Sequence, residues 1–349
     1  MIELNVRCPR CGRCLPAPAD EATSITCFSA HTFPVICGIP DLRESTAPTC
    51  WADARTIPEA ELVGRMALHF HTSSLEALVN EYVCALRLPL RLKEATRSYM
   101  LEAHLREAWG VKYMEFCHIR NSRSWLQGKA AWEAGCGAGG SVLHLVGRFE
   151  QVVGTDVDLA ALLVAKKRCE LQGVRSIILI AAALEQDIFS AETFDAIKCT
   201  DVLEHVEDPG LACVRLASAL NSSGMAFFLT PNKWSFVTPE PHVRLWGVQF
   251  LPAGLADRYV AWRIGIPYRN VARLMSYGRF LRILKTTGLR VVFVPFEDKH
   301  LNPTSRRGRL IKLLFDRSPL RWMSAAMRYV QPSLEAVCFR VADRASHVE

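Results

Sequence analysis

Trp132-Glu133-Ala134-Gly135-Cys136-Gly137-Ala138-Gly139-Gly140 is the stretch on which the reading of this chain turns. An apolar helical pattern, Val142-Leu143-His144-Leu145-Val146, follows it, and then a second strand-like run, Gln151-Val152-Val153-Gly154-Thr155-Asp156. A glycine-rich turn with an acid about twenty residues on is how a βαβ unit holds a nucleoside. The glycines let the backbone approach the ligand, and the acid accepts hydrogen bonds from ribose hydroxyls. A dinucleotide site wants G-x-G-x-x-G with the pyrophosphate on the helix N-terminus. Here the glycines at 135, 137 and 139 alternate and Glu133 precedes them. A carboxylate at that point disfavours a pyrophosphate and suits a cationic ligand carrying an ammonium group.

Further elements follow in a recognisable order. Phe194-Asp195-Ala196-Ile197-Lys198-Cys199 reads as a short buried strand. After it comes Thr200-Asp201-Val202-Leu203-Glu204-His205-Val206-Glu207-Asp208-Pro209, then helical spacing from Leu211 to Leu220. Asn221-Ser222-Ser223-Gly224 reads as a turn with a helix C-cap glycine. Met225-Ala226-Phe227-Phe228-Leu229 reads as a buried strand ending in Thr230-Pro231-Asn232. Over roughly residues 130 to 295 the chain resembles the class I S-adenosylmethionine (SAM) methyltransferases of the type-11-like branch, with their E-x-G-x-G-x-G turn, "LEHv.dp" segment and "TPN" strand end.

The resemblance implies an α/β fold: a Rossmann-like, mostly parallel seven-stranded sheet with SAM at the carboxyl ends of its strands. It implies that Glu133, Gly135, Gly137 and Gly139 face the methionine end of SAM. Asp156 would hold the ribose, Leu184 and Glu185 fall at the adenine, and Cys136, Val157 and Thr200 are further cofactor-binding candidates. Ala183 stands where this branch often has Asp, so backbone groups are left to supply the adenine contact. Asp156 has a second reading, as N-cap of the helix from Leu159 to Cys169. Asp195 reads as capping or turn chemistry. His205 is the best-placed general base and His242 the second candidate, since imidazole titrates near working pH. The other reading of Glu204 and His205 is a helix start at the pocket edge.

A second motif lies near the beginning. Cys8-Pro9-Arg10-Cys11 is a C-x-x-C knuckle, and Cys27-Phe28-Ser29-Ala30-His31 follows after fifteen intervening residues. Cys8, Cys11, Cys27 and His31 make the four-ligand set of tetrahedral zinc. Cys14 and Cys37 are further thiols, either of which is an alternative fourth ligand. The segment resembles the small zinc-ribbon module ahead of some bacterial methyltransferase domains, among them an rRNA guanine methyltransferase. Phe33-Pro34-Val35-Ile36-Cys37-Gly38-Ile39-Pro40-Asp41-Leu42 is similar to the end of such modules.

Composition sets the frame. The chain has 349 residues, half of them hydrophobic, and thirteen cysteines. That suggests two or so domains and a sizeable core. Met1-Ile2-Glu3-Leu4-Asn5-Val6-Arg7 lacks the apolar run of a signal peptide, so a cytoplasmic location with reduced thiols is expected. We divide the chain into a zinc-ribbon-like module (1–44), a helical linker or cap (45–128), a methyltransferase domain (129–300) and a basic amphipathic extension (301–349). Ala47-Pro48 and Ile57-Pro58 mark the linker, and helical spacing runs from Glu59 and resumes at Leu92 after Pro89. Tyr82 reads as core, and His69 and His71 as a polar helix end.

Between Lys233 and Gly247 the aromatics, His242 and Arg244 read either as the lining of an acceptor pocket or as a lid packed on the sheet. Residues 241–349 hold nineteen Lys and Arg against seven Asp and Glu, although the whole chain is only +7. Ser305 to Phe315, with Arg306, Arg307, Arg309 and Lys312, is basic and amphipathic, and Arg321, Trp322, Met323, Met327 and Arg328 follow. Such a face suits a membrane surface or an anionic substrate, or simply packs as a solvated helix. The expected function is methyl transfer from SAM to an oxygen or nitrogen of a small-molecule acceptor. An rRNA or tRNA base methyltransferase is one alternative, a non-catalytic SAM-binding scaffold the other.

Overall fold

The computed structural model describes residues 5–18, 22–44, 54–122, 126–174, 176–236, 238–293 and 329–340. The basic stretch 305–315 and residues 321–328 lie outside the described residues. Strands β1 (Ser24–Thr26), β2 (Thr32–Ile36) and β3 (Ile39–Pro40) form a small antiparallel sheet. Helices α1 (Glu59–Leu68), α2 (Leu75–Cys84) and α3 (Leu90–Ser122) come next. The alternating part follows: β4 (Gly128–Ala134), α4 (Val142–Leu145), β5 (Phe149–Asp156), α5 (Leu159–Leu171), β6 (Ile177–Ala181), β7 (Phe194–Thr200), α6 (Pro209–Ala219) and β8 (Leu220–Pro231). Helices α7 (Ala253–Ile264) and α8 (Tyr277–Thr286) precede β9 (Arg290–Phe293) and β10 (Ser333–Phe339).

The large sheet has seven strands in the order β6-β5-β4-β7-β8-β10-β9. Five are parallel, and β10 runs antiparallel to β8 on one side and β9 on the other. The expected α/β class with a mostly parallel seven-stranded sheet is therefore what the chain adopts. The order reverses between β4 and β7, which opens a crevice at the carboxyl ends of those strands. The strand β10 falls within the stretch 301–349 that the sequence reading sets apart as an extension. It belongs to the sheet because its run Leu334 to Cys338 is buried throughout and needs a partner on both sides.

Period-two alternation sends Ala131 to one face of the sheet and Ala130, Trp132 and Ala134 to the other. The first face packs on α5 and the helices α1 to α3. Ten of the thirteen residues of α5 are buried, because α1 and α2 cover its outer side. The other face packs on α6 and α8 and also on the first module: Cys8, Leu15, Ile25, Phe33, Val35 and Leu42 join one cluster with Ile180, Phe189 and Trp132. The module therefore borrows its core from the sheet.

Several local expectations need correction. The N-cap of α5 is Asp158, whose carboxylate accepts from Ala161 N at 3.2 Å, so the capping role leaves Asp156 free for another. Arg55 and Tyr82 hold the second oxygen of Asp158 at 2.6 and 2.8 Å. Residues 221–224 are no turn: β8 begins at Leu220, and Gly224 does not take the left-handed conformation of a C-cap. Glu204 and His205 lie in turns, and the helix starts only at Pro209 behind the cap Asp208. Asp195 is neither cap nor turn. From within β7 it accepts from Lys129 N, Ala130 N and Asn221 Nδ2, clasping three strands. His69 ends α1, as expected, with its Nε2 2.7 Å from Glu81.

Candidate functional site

The turn after β4 is built by three left-handed glycines, Gly135, Gly137 and Gly139, with φ of +75°, +48° and +76°. Two are enforced by contact as well as by conformation. A Cβ on Gly135 would collide with Val202 Cγ2, and one on Gly139 would meet Ala165 Cβ at 2.8 Å. At Gly137 the space is open, so its backbone is bare towards the crevice. Gly137 N donates to Asp156 Oδ2 at 2.7 Å, and Asp158 N donates to Oδ1 at 2.8 Å. Asp156 thus stands at the end of β5 directly beside the turn. Desolvation pushes its carboxyl up to about 6 against the hydrogen bonds from the Asp158 and Gly137 backbones. Cys136 is buried in the same turn, its N–H donating to Thr155 O.

The remaining cofactor candidates sit around this turn with their own partners. The Val157 carbonyl accepts from Arg43 at 2.7 Å, and Arg43 also grips Asp41 and Glu59, which ties the first module to the end of β5. Leu184 is buried. The Glu185 carboxylate accepts from Glu207 N and Asp208 N at 2.9 and 3.2 Å, so it braces the loop after β7. Gln186 accepts from Ala183 N at 2.8 Å at the position where the branch often has Asp. Glu133 is buried, and Lys198 Nζ donates to it at 2.8 Å, to Thr200 Oγ1 at 2.8 Å and to Ser141 Oγ at 3.1 Å. The carboxylate expected to meet a ligand ammonium already faces one from the chain itself. The register pairs Glu133 with Lys198 across β4 and β7. Sequence reading missed Lys198, although a lysine inside a buried strand was the signal.

The two histidine candidates meet. His205 Nε2 and His242 Nε2 are 3.1 Å apart, and both rings stand over the buried Glu204, whose Oε1 is 3.7 and 3.6 Å from the two nitrogens. Each histidine is oriented from behind. His205 Nδ1 donates to Val271 O at 3.0 Å, and His242 Nδ1 donates to Glu240 Oε1 at 2.6 Å. Thr230 Oγ1 donates to Glu204 Oε2 at 2.9 Å, and Tyr268 donates to Glu240 at 3.2 Å. Glu240 also shapes the turn that carries His242: its Oε2 accepts from Val243 N and its carbonyl from Arg244 N, with Arg244 at φ +54°.

The electrostatics of the pair diverge. Burial pushes His205 down to about 4, with Glu204 pulling the other way. Burial would lower His242 as well, but Glu204 and Glu240 outweigh it and carry His242 up to about 10. Burial raises Glu204, yet the facing histidines bring it below the ordinary carboxylate range. A proton on His242 Nε2 therefore points at the His205 lone pair. The aromatics of the segment do not close over this cluster as a packed lid: Phe236 is 60% and Trp246 63% exposed, and Trp234 stacks on Phe250.

The structure also brings together Cys8, Cys11, Cys27 and His31, with all four donor atoms within 4.8 Å of one another. Cys11 Sγ lies 3.7 Å from Cys27 Sγ, and His31 Nδ1 lies 3.6 and 3.5 Å from Cys8 and Cys27. Metal bonds of about 2.3 Å to sulfur and 2.0–2.1 Å to nitrogen at tetrahedral angles give edges of about 3.5–3.8 Å, so the residues fit zinc. Hydrogen bonding to the Arg13 backbone, then to Ser29 and His31, pulls the Cys11 thiol down to about 6. Cys14 and Cys37 are not part of this group.

Residues 132–228 match the family described as "Methyltransferase domain". The sheet order and the glycine turn of the same stretch agree with a methyltransferase domain there. Among curated proteins the chain is 26% identical over 139 residues to the ubiquinone biosynthesis O-methyltransferase of Photobacterium profundum, covering 40% of this chain and 59% of that one. The protein of the same name from Neisseria meningitidis is 29% identical over 157 residues, with 43% and 62% covered. The chain thus spans about three fifths of the length of these relatives. Among solved structures, a SAM-dependent methyltransferase from Mesorhizobium loti is similar at 16% identity and a TM-score of 0.44, covering 64% of this chain and 96% of that one. No described helix is long and apolar enough to cross a membrane.

Proposed function

We propose that this protein transfers a methyl group from SAM to a hydroxyl oxygen of a small-molecule acceptor. The observation that carries the reading is the glycine turn, with Gly137 bare towards the crevice and Asp156 beside it. In this reading Asp156 accepts from the ribose hydroxyls. Glu204, His205 and His242, on the loop after β7 and the turn after β8, form the acceptor side. Transfer makes an O–CH3 bond and breaks the S–CH3 bond; the sulfonium becomes a neutral thioether, and the hydroxyl's proton passes to His205 Nε2 and from there to solvent.

An oxygen acceptor is favoured over an amine because this cluster of two histidines and two buried carboxylates is suited to removing a proton, which a neutral amine does not require before attack. The names of the curated relatives agree with an oxygen acceptor. The chain contributes the rest by positioning the reactants and excluding water. Cys8, Cys11, Cys27 and His31 would hold one zinc, which would supply folding energy to a module with little core of its own.

Calorimetric titration with S-adenosylhomocysteine, followed by labelled SAM with hydroxylated aromatic acceptors, tests this. Micromolar binding and label in an ether product support it. Label in RNA instead of a small molecule would replace it with the base-methylating alternative, and the absence of S-adenosylhomocysteine binding would remove it.

A further inference from the structure

Two neutral imidazoles oriented as His205 and His242 are would aim their lone pairs at each other. Both Nδ1 atoms must carry hydrogen, because their partners, the Val271 carbonyl and the Glu240 carboxylate, can only accept. That leaves both Nε2 atoms as acceptors, 3.1 Å apart, with Glu204 Oε1 3.7 and 3.6 Å away. Glu204 is completely buried, and its Oε1 has no hydrogen-bond partner among the described residues. In these neutral forms three acceptor atoms converge on one point with no donor among the described residues, so the point calls for a cation, either a proton on His242 Nε2 or a metal ion bound by all three.

We propose that Glu204, His205 and His242 form a binding site for a divalent first-row transition-metal ion, distinct from the cysteine cluster. The three donor atoms lie within 4.8 Å of one another. Bonds of about 2.0–2.2 Å to imidazole and carboxylate at tetrahedral angles place such atoms about 3.3–3.6 Å apart, which the observed spacings bracket. Two imidazoles and one carboxylate select ions of the zinc, cobalt, iron or manganese kind over calcium, which takes oxygen alone. Every ligand has its outer partner in place: Val271 O behind His205, Glu240 behind His242 and the Thr230 hydroxyl behind Glu204. Glu204 and Glu240 bring two negative charges to balance the ion.

Among the described residues three protein ligands converge, and the His205 and His242 side chains keep 20% and 13% exposure. A site with three protein ligands leaves a position for water or substrate. The inference rests on the methyltransferase reading for its use: a bound ion would orient the acceptor hydroxyl and lower its pKa, and with both Nε2 atoms serving as ligands the proton would pass to solvent instead of to a histidine.

The test is metal content per folded chain. Full-length protein is stripped with chelator, loaded with cobalt(II), desalted and analysed for bound metal and absorbance. Two ions per wild-type chain are expected, with one lost in His242→Ala and in Glu204→Gln while the near-ultraviolet thiolate-to-cobalt band persists unchanged. Equal metal content in wild type and both variants overturns the site. So does a wild type that takes a single ion accounted for by the thiolate band, a result that needs no variant to fold. S-adenosylhomocysteine binding is measured on the same samples. Two ions without that binding would remove the methyltransferase reading and leave the metal site, and binding with only the thiolate-held ion would do the reverse.

Discussion

The cysteine cluster and the histidine cluster hold their donor atoms at similar spacings, 3.5–3.7 Å in one and 3.1–3.7 Å in the other. They differ in how the donors are delivered. Cys8, Cys11, Cys27 and His31 come from two knuckles in one short module, they are mostly thiols, and they number four, which closes a tetrahedron. Glu204, His205 and His242 come from turns after two different strands, they number three, and each is steadied from behind by another residue. The first arrangement suits holding a small fold together. The second leaves room for a reacting group, and its outer partners serve orientation instead of folding. Donor number and the source of orientation, more than distance, separate a structural cluster from a chemical one.

On the proposal that the cysteine cluster holds zinc, chelator treatment or Cys27→Ser should have the largest effect, and on stability. The module shares its core with the sheet through Phe33 and Leu42, so its collapse should cost several kcal/mol and lower the melting temperature of the whole domain. A melting curve unchanged by chelation would break the contrast. Lys198→Met probes a cation that is part of the chain and built into the sheet. Removing the ammonium from buried Glu133 should cost about 3–5 kcal/mol in denaturant unfolding, and adding Glu133→Gln should recover part of it. Failure of that recovery would show that the pair does not act as a unit.

At the histidine cluster the loss should fall on turnover. His205→Gln should lower kcat about 10²–10⁴-fold with melting and S-adenosylhomocysteine affinity near wild type. A matching loss of affinity would make the cluster part of the cofactor site instead. Asp156→Ala should weaken S-adenosylhomocysteine binding by about 1–3 kcal/mol by calorimetry.

The same aspartate predicts a pH dependence, since its carboxyl is raised to about 6 in the free protein. Ribose hydroxyls donate to the ionised form, so affinity should hold above about pH 6 and fall by up to tenfold per unit below it. The stability of the free protein should move the other way. A raised carboxyl contributes most when protonated, and that contribution is lost as pH rises through about 6. Asp156→Asn should flatten both curves.

What could be read in the sequence was whatever is local. The spacing of Gly135, Gly137 and Gly139 announced the turn because left-handed backbone is a single-residue property, and Cys8 to His31 announced a metal set because knuckles are short. Asp156 was legible from its distance to the turn, though its competing role as helix cap belonged to Asp158, two residues on. Lys198, Glu240 and Tyr268 were not legible as site residues. Their partners are 65, 2 and 28 residues away in sequence, and even the near pair, Glu240 with His242, has meaning only once Glu204 arrives. The strand β10 was missed for a related reason: a uniformly buried run shows no alternation to set it apart, and its partners β8 and β9 lie far back along the chain.

By itself the sequence determined the α/β class, the glycine turn with its acid, the fourfold cysteine–histidine set and His205 and His242 as separate candidates. Each depends on a backbone preference or a spacing that a few neighbouring residues carry on their own. The tertiary structure alone decided that the two histidines share one point with Glu204, that Glu133 is met by Lys198, and that the first module leans on the sheet. Those facts depend on strand register and on turns packed against one another, and such proximity is decided only when the whole core closes.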